Sequence, residues 1–314
     1  MTETTDDLYA GQLSVRKRRS FFTDLVIRLV KEKPLGTVGA VIVLLLLFVG
    51  IFANFLAPYG YNDTWVGAKL EAPSIHHWMG TDNVGRDLMS RIIYGARVSM
   101  FVGLGASALG CALNATIGLI SGYAGGKLDL VIQRFVDAWV CFPFLFLLLT
   151  FMALIGAGIV QVILVLGIAG GIGGSRLMRS AVIAIKSNMY VESAKAIGTT
   201  TPTILMRHIL PNVMAPLIIA FTMGVGSSIL AEASISFLGY GIPPPAPSWG
   251  GMLSGNARSL MLQAPWMAIF PGLALSIVVY GVNMFGDALR DLLDPRLRGG
   301  LGRYNVSKRK MKRK

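Results

Sequence analysis

Charge is what this sequence lacks. Only 14% of its 314 residues are Asp, Glu, Lys or Arg, where soluble domains run near about a quarter. The shortage is concentrated. No charged residue occurs from Pro34 to Asn62, Val98 to Gly126, Ala138 to Ser175, Ile209 to Ala231, or Ser259 to Gly286. A helix needs roughly 20 apolar residues to cross about 30 Å of hydrocarbon. Four of these runs suffice for one crossing each. The fifth, Ala138 to Ser175, has 38 residues and suffices for two, with Gly156-Ala157-Gly158 as the hinge. The expectation is an all-α membrane protein with six transmembrane helices, near 35–57, 98–121, 138–155, 158–175, 213–231 and 267–286.

Other absences exclude function classes. Two cysteines, Cys111 and Cys141, give no disulfide framework and no metal-ligand spacing. His76, His77 and His208 form no cluster, and no Ser, His and acid can be assembled into a catalytic set. No cofactor is implied and no enzyme is expected in this chain. A phosphate-cradling loop needs G-x-x-x-x-G-K-[ST]. SGYAGGKL has Ser121 in place of the first Gly and Leu128 in place of Ser or Thr. LSGNA (253–257) and GGIGGS (170–175) match no nucleotide pattern in a suitable context. The span interiors also lack the ionisable groups that gradient-driven carriers place at mid-membrane. Glu232 is the nearest acid, at an outer end. The first apolar run carries no small-residue cleavage site, so no removable signal peptide is expected.

What is present is basic and asymmetric. With both termini on the cytoplasmic side, 24 of the 29 Lys and Arg residues fall on that side and 5 outside, as the positive-inside rule requires. The net charge of +13 therefore reads as a topology signal and as contact with anionic lipid heads, including the tail RYNVSKRKMKRK, rather than as nucleic-acid binding. Phe21, Phe22, Leu25, Val26, Leu29 and Val30 make one apolar helix face before Pro34. This segment either lies on the inner leaflet or extends the first span. Residues 58–97 and 232–266 form external loops, the second stiffened by IPPPAPSWGGM. Gly167 with Gly171, Gly170 with Gly174 and Gly118 with Gly122 have the small-xxx-small spacing of close helix contacts.

Between two apolar runs stands YVESAKAIGTTTPTILMRHILPN, residues 190–212. Val191, Ala194, Ile197 and Gly198 can share one face of a short helix. Gly198 suits the left-handed residue that ends it. Thr201 and Pro202 read as the N-cap and first residue of a second helix, whose apolar face continues through Ile204, Leu205, Ile209 and Leu210. Small Ser193, Ala194 and Ala196 permit close approach by a partner; an interfacial loop without a partner is the alternative reading.

ESAKAIG, nine residues, then HILP resembles the cytoplasmic motif of bacterial ABC importer permeases, E-A-A, three residues, G, nine residues, I-x-L-P. Glu192, Ala194, Gly198, Leu210 and Pro211 match in place. Ser193 departs from the first Ala, a small-for-small change, and His208 stands where the general pattern has Ile, a variant of the peptide branch. GTDNVGRDLMSRIIYGARVSM (80–100), SGYAGGKLDLVIQRFVDAWVCFP (121–143), AEASISFLGYGIPPPAPSWGGML (231–253) and GDALRDLLDPRLR (286–298) resemble the dipeptide, oligopeptide and nickel branch. The likeness covers roughly residues 20–300. It implies the type I importer permease fold. It also implies a second, different permease subunit, two ATP-binding subunits and an extracytoplasmic substrate-binding protein. ATP-driven alternating access would carry di- or oligopeptides or a related solute. In this reading Glu192, Ser193, Ala194, Gly198, Leu210 and Pro211 couple to the ATPase. A stand-alone secondary transporter or channel is the competing class.

Asp82, Arg86, Asp87, Arg91 and Arg97 form a charged set on the outer face, read either as a gate or as a network that shapes the loop. Arg134 and Asp137 read as a structural pair at the inner end of the third span. Asp287, Arg290, Asp291 and Asp294 are expected to fix the cytoplasmic tail. The expected division is a tail and interfacial helix (1–34), a first span with its external loop (35–97), a five-helix core with coupling loop 176–212 (98–286), and a basic tail (287–314).

Overall fold

The computed structural model describes residues 21–293; the basic runs at both ends and Asp294 lie outside the described residues. Helix α1 (Phe21–Glu32) carries Asp24 in its first turn and Lys31 in its last, and Arg28 pairs with Glu32 one turn on, as the helix dipole and i,i+4 geometry favour. Of its expected apolar face, Phe21 and Phe22 lie outside the residues whose side chains are described. At Lys33 the backbone leaves the helix (φ −135°, ψ 73°), because Pro34 at the next position disfavours helical geometry before it. Thus α1 is a separate element and not an extension of the first span. Lys33 Nζ meets Asp291 Oδ2 at 2.5 Å, joining this junction to the far end of the chain.

The first span is α2 (Pro34–Ile51), followed by a turn of helix, α3 (Ala53–Leu56). Leu35, Leu44, Leu45, Phe48 and Ile51 are exposed along it, a face suited to lipid tails. Its other face packs on the last helix, α13 (Trp266–Leu293), where a Cβ on Gly39 would stand 2.5 Å from the Gly281 carbonyl. Helix α4 (Leu88–Ala124) begins ten residues before the expected second span. Asp87 is the reason: its Oδ2 accepts from the Ser90 amide at 2.8 Å and the Ser90 hydroxyl at 2.7 Å, an N-cap that starts the helix early.

The third crossing departs most from expectation. Instead of one helix over 138–155 there are two, α5 (Gly126–Cys141) and α6 (Phe144–Ile155), bent by 90° at Phe142-Pro143. Pro143 has no amide proton to continue the ladder. At about 1.5 Å per residue α6 alone spans about 18 Å, short of the hydrocarbon layer. Among the described residues five helices are long and apolar enough to cross, and the count reaches six if the bent pair is one span. The expected hinge holds: Gly156 (φ 95°) and Gly158 (φ 156°) separate α6 from α7 (Ile159–Lys186).

Among the described residues, helices α4 and α7 share the most extensive interface. Two of the three small-residue pairs explain it. A Cβ on Gly171 would meet the Gly110 carbonyl at 2.8 Å, and one on Gly122 would meet the Arg179 carbonyl at 2.9 Å. The third pair divides: Gly174 lies against Asn114 of α4, whereas Gly170 faces open space. After α7 come α8 (Met189–Ala196), α9 (Thr201–Thr203), a π-helical segment (Ile204–Ile209), a 3-10 turn (Leu210–Val213) and α10 (Met214–Phe237). The second external loop holds the short helices α11 (Trp249–Leu253) and α12 (Asn256–Leu260) before α13. Pro243 to Pro247 hold no helix; the chain turns at Pro244-Pro245 rather than running extended throughout. Trp249 pins this loop inward by donating from Nε1 to the Ile92 carbonyl at 3.1 Å.

Candidate functional site

The unit at residues 189–213 is built from an apolar underside. Val191 and Ala194 of α8, with Ile204, Ile209 and Val213, are buried against Leu119 of α4 and Met178 and Val182 of α7. Burying such side chains contributes roughly 1.5–3 kcal/mol for each of the larger ones. Ala194 therefore faces its own chain. Ile197, expected on that same face, is 82% exposed, because the helix has already ended at its position. The Gly198 amide donates to the Lys195 carbonyl at 3.0 Å and the Thr199 amide to the Ala194 carbonyl at 3.0 Å. These two bonds make a Schellman motif, with Gly198 at φ 78° as its left-handed residue.

The second helix begins one position earlier than expected. Thr200, extended at φ −66° and ψ 146°, is the N-cap residue, and Pro202 is the second helical residue. Thr200 makes no side-chain cap; its Oγ1 lies 2.9 Å from Thr203 Oγ1. The following segment is π-helical, then 3-10 through Leu210 and Pro211. Glu192 and Ser193 point away from the buried underside and are exposed, as are Gly198 and Pro211, while Leu210 is half-buried. Glu192 has no ion-pair partner among the described residues. Lys195 and Lys186 stand 5.1 and 5.7 Å from the ring centre of Tyr123, at the inner end of α4, a cation–π bracket that fixes α8 to the bundle.

Helix α5 is tied to the same inner region by charge. Arg179 holds Asp129 through Nε at 2.7 Å and Nη2 at 2.5 Å, a two-pronged contact across 50 residues of sequence. Ser121 Oγ also donates to Asp129. Asp137 meets Arg176 at 2.5 Å and Arg134 at only 3.5 Å. The expected Arg134–Asp137 pair exists, but the shorter contact joins α5 to α7. No sequence spacing announces Arg176 or Arg179 as partners, since both lie on another helix.

The five charges expected on the outer face separate into three arrangements. Asp82 accepts from the Val84 and Arg86 amides at 2.9 and 3.0 Å and from Arg86 Nε at 2.6 Å, with Arg91 Nε at 3.7 Å. Arg91 also donates to the Tyr61 carbonyl at 2.8 Å. Asp82 and Arg91 are buried, and with Arg86 they line a cavity of about 420 Å³ roofed by Pro243, Pro244 and Ser248. Asp87 is occupied elsewhere: besides capping α4 it meets His77 Nδ1 at 3.0 Å, both groups buried. Arg97 belongs to neither group. It donates to the Gly50 and Ile51 carbonyls at 2.8 and 3.3 Å and to Asn54 Oδ1 at 2.9 Å, at the end of the first span, where orphan carbonyls need donors. Glu232 is fully buried, accepting from Ser236 Oγ at 2.6 Å. No group of three or more His, Cys, Asp or Glu residues suited to a metal occurs among the described residues.

Comparison with known proteins matches residues 114–299 to the family described as binding-protein-dependent transport system inner membrane component. Residues 20–73 match the N-terminal TM domain of oligopeptide transport permease C. The dipeptide transport system permease protein DppC of Alkalihalophilus pseudofirmus is 39% identical over 268 residues, 85% of this chain and 88% of that protein. The glutathione transport system permease protein GsiD of Escherichia coli is 40% identical over 270 residues, 86% of this chain and 89% of that one. A solved inward-facing structure of the MetNI methionine ABC transporter shares the fold, with a TM-score of 0.54 and 18% identity over 66% of this chain and 98% of its own. With a family match across most of the helical core and relatives near 40% identity along most of its length, this chain belongs to the binding-protein-dependent transport system inner membrane components, the multi-pass membrane permeases of ABC importers.

Proposed function

We propose that this permease is driven through residues 189–213, and that Glu192 and Ser193 form the polar centre of the contact with an ATP-binding subunit. The observation that carries this reading is the two-sidedness of the unit. Its underside is clamped to α4 and α7 by Val191, Ala194, Ile204 and Ile209, while Glu192 stays exposed and unpaired beside exposed Met189 and Ile197. A rigidly backed, outward-facing helix can transmit a push; one that merely floats on the surface cannot. Gly198 and Pro211 act by shaping the unit, and Ala194 and Leu210 by anchoring it.

In this reading both termini are cytoplasmic, and the outer cavity at Asp82, Arg86 and Arg91 faces an extracytoplasmic substrate-binding protein. A second permease subunit completes the path and two ATP-binding subunits close beneath it. The core is residues 98–286, with 1–34, 35–97 and 287–314 as flanking segments. The named relatives carry dipeptides and glutathione, and the solute here is a small peptide or a peptide-like molecule.

The test is ATP hydrolysis by the material that copurifies with the tagged chain in mild detergent, comparing wild type with Glu192→Lys. Wild type is expected to bring down ATPase activity and the variant to lose most of it. Absence of ATPase from intact wild-type complex, or an unchanged variant, overturns the coupling assignment.

A further inference from the structure

A second cavity, of about 410 Å³, opens between α4, α6, α7, α10 and α13, in the size range of small-ligand pockets. Along α4 it is lined by Ser107, Cys111 and Asn114, at i, i+4 and i+7, one stripe of the helix. Ser107 Oγ and Asn114 Oδ1 are buried with no hydrogen-bond partner among the described residues. That is unusual here. Thr116, Thr150, Thr222, Ser234 and Ser276 each bond to the carbonyl four residues back, the ordinary solution for a hydroxyl in a membrane helix. Ser99 Oγ and Glu232 Oε2 share the lack but do not line this cavity. An unpaired buried polar group costs roughly 1–3 kcal/mol, so two of them on one stripe need a reason.

The opposite wall is close at two points and open at a third. Ser107 lies against Gly224 of α10 and Asn114 against Gly174 of α7, and a Cβ on Gly170 would meet nothing within 4 Å. Asn283 of α13 also lines the space. By contrast, the smaller groove of about 110 Å³ between Leu46, Leu104 and Phe221 is lined almost wholly by apolar side chains, as a surface against lipid tails would be. Polar side chains inside a membrane turn toward a path and not toward lipid. None of the residues lining the larger cavity carries a formal charge. Transit requires contacts favourable enough to admit a solute yet weak enough to release it; hydroxyl and amide groups meet that need, and fixed charges would not.

We infer that Ser107, Asn114 and Asn283 form a hydrogen-bonding wall of the solute path that contacts the amide groups of a passing peptide, independent of its side-chain charges. This rests on the permease being ATP-driven with a peptide-type solute. Selectivity at this wall favours amide-bearing chains over free amino acids.

Cys111 sits in the middle of the stripe and reports on it. In a Cys141→Ser background, the assembled transporter in proteoliposomes would be treated with a methanethiosulfonate bearing a trimethylammonium group, during ATP turnover with binding protein present. Modification of this chain would be read by mass spectrometry. The charged reagent is expected to reach Cys111. Gly170→Phe, which projects into free space, should slow modification roughly tenfold or more by blocking access, while Gly170→Ala leaves it near wild type. A casein hydrolysate should slow modification roughly fivefold, and free amino acids at equal mass should not. Reaction only with an apolar maleimide places Cys111 against lipid and overturns the proposal. Equal protection by amino acids, or none by peptides, overturns the amide assignment. ATPase copurification is scored on the same preparation: its absence defeats the ATP-driven reading itself, whereas its presence with an unreactive Cys111 defeats only the inference drawn here.

Discussion

The inner unit at residues 189–213 and the outer cluster around Asp82 use charge in opposite ways. In the cluster, Asp82, Arg86 and Arg91 satisfy one another and the loop backbone, with Asp82 and Arg91 buried beneath a proline-rich roof. In the unit at residues 189–213, apolar side chains do the holding and Glu192 is left exposed with no ion-pair partner among the described residues. Charges already paired within the chain define shape; a charge left free on a rigid backing is available to another molecule. The same motif-level signal, a dense set of ionisable residues between spans, thus has two physical meanings, separated only by what each carboxylate touches.

This contrast can be broken from either side, beginning with the largest effect. Asp82→Ala strands two arginines, one of them buried, and should destabilise the fold by about 3–5 kcal/mol, seen as a marked fall in the thermal unfolding temperature in detergent. If unfolding is unchanged, the outer cluster is not structural and its gating role rises. Gly198→Val forces a β-branched residue to φ 78°, at a cost of roughly 1–2 kcal/mol confined to the turn. Uptake and copurifying ATPase should fall together while global unfolding moves little. Glu192→Gln should leave stability within about 0.5 kcal/mol of wild type, yet reduce the ATPase that copurifies. A drop in unfolding temperature with unchanged ATPase would assign Glu192 to structure. The smallest effect is expected at Arg134→Ala. Arg134 is 75% exposed and 3.5 Å from Asp137, so its loss should cost below about 0.5 kcal/mol. Arg176→Ala, which removes the shorter contact to Asp137, should loosen α5 more, read as faster amide exchange over 126–141.

Much of the architecture was legible in the chain. The charge-free runs mark the membrane helices because desolvating an ion in hydrocarbon is costly wherever it sits. Gly198 was legible as a helix stop because its requirement is a backbone angle, a local property. The early start of α4 was half-legible: Asp87 followed three residues later by Ser90 is a capping signal, but Arg91 and Arg97 masked it by appearing to end the apolar run. The stripe at Ser107 and Asn114 carries no formal charge and so leaves the charge-free run unbroken, though an Asn within an apolar span is itself a signal. The break in the third crossing likewise leaves that run unbroken; its local mark is Pro143, which stands at the bend.

The sequence by itself determined which stretches are apolar enough to cross a membrane, where the unit at residues 189–213 turns, and which family the chain resembles, since each depends on local composition or on residues at fixed spacing. Only the tertiary structure decided that Asp129 belongs to Arg179 and Asp137 to Arg176, that Ala194 faces inward, and that Gly171 packs on α4 while Gly170 opens onto a cavity. Helical periodicity states which residues share a face. It is silent on what stands opposite that face, because the neighbour comes from a distant part of the chain and is chosen by packing.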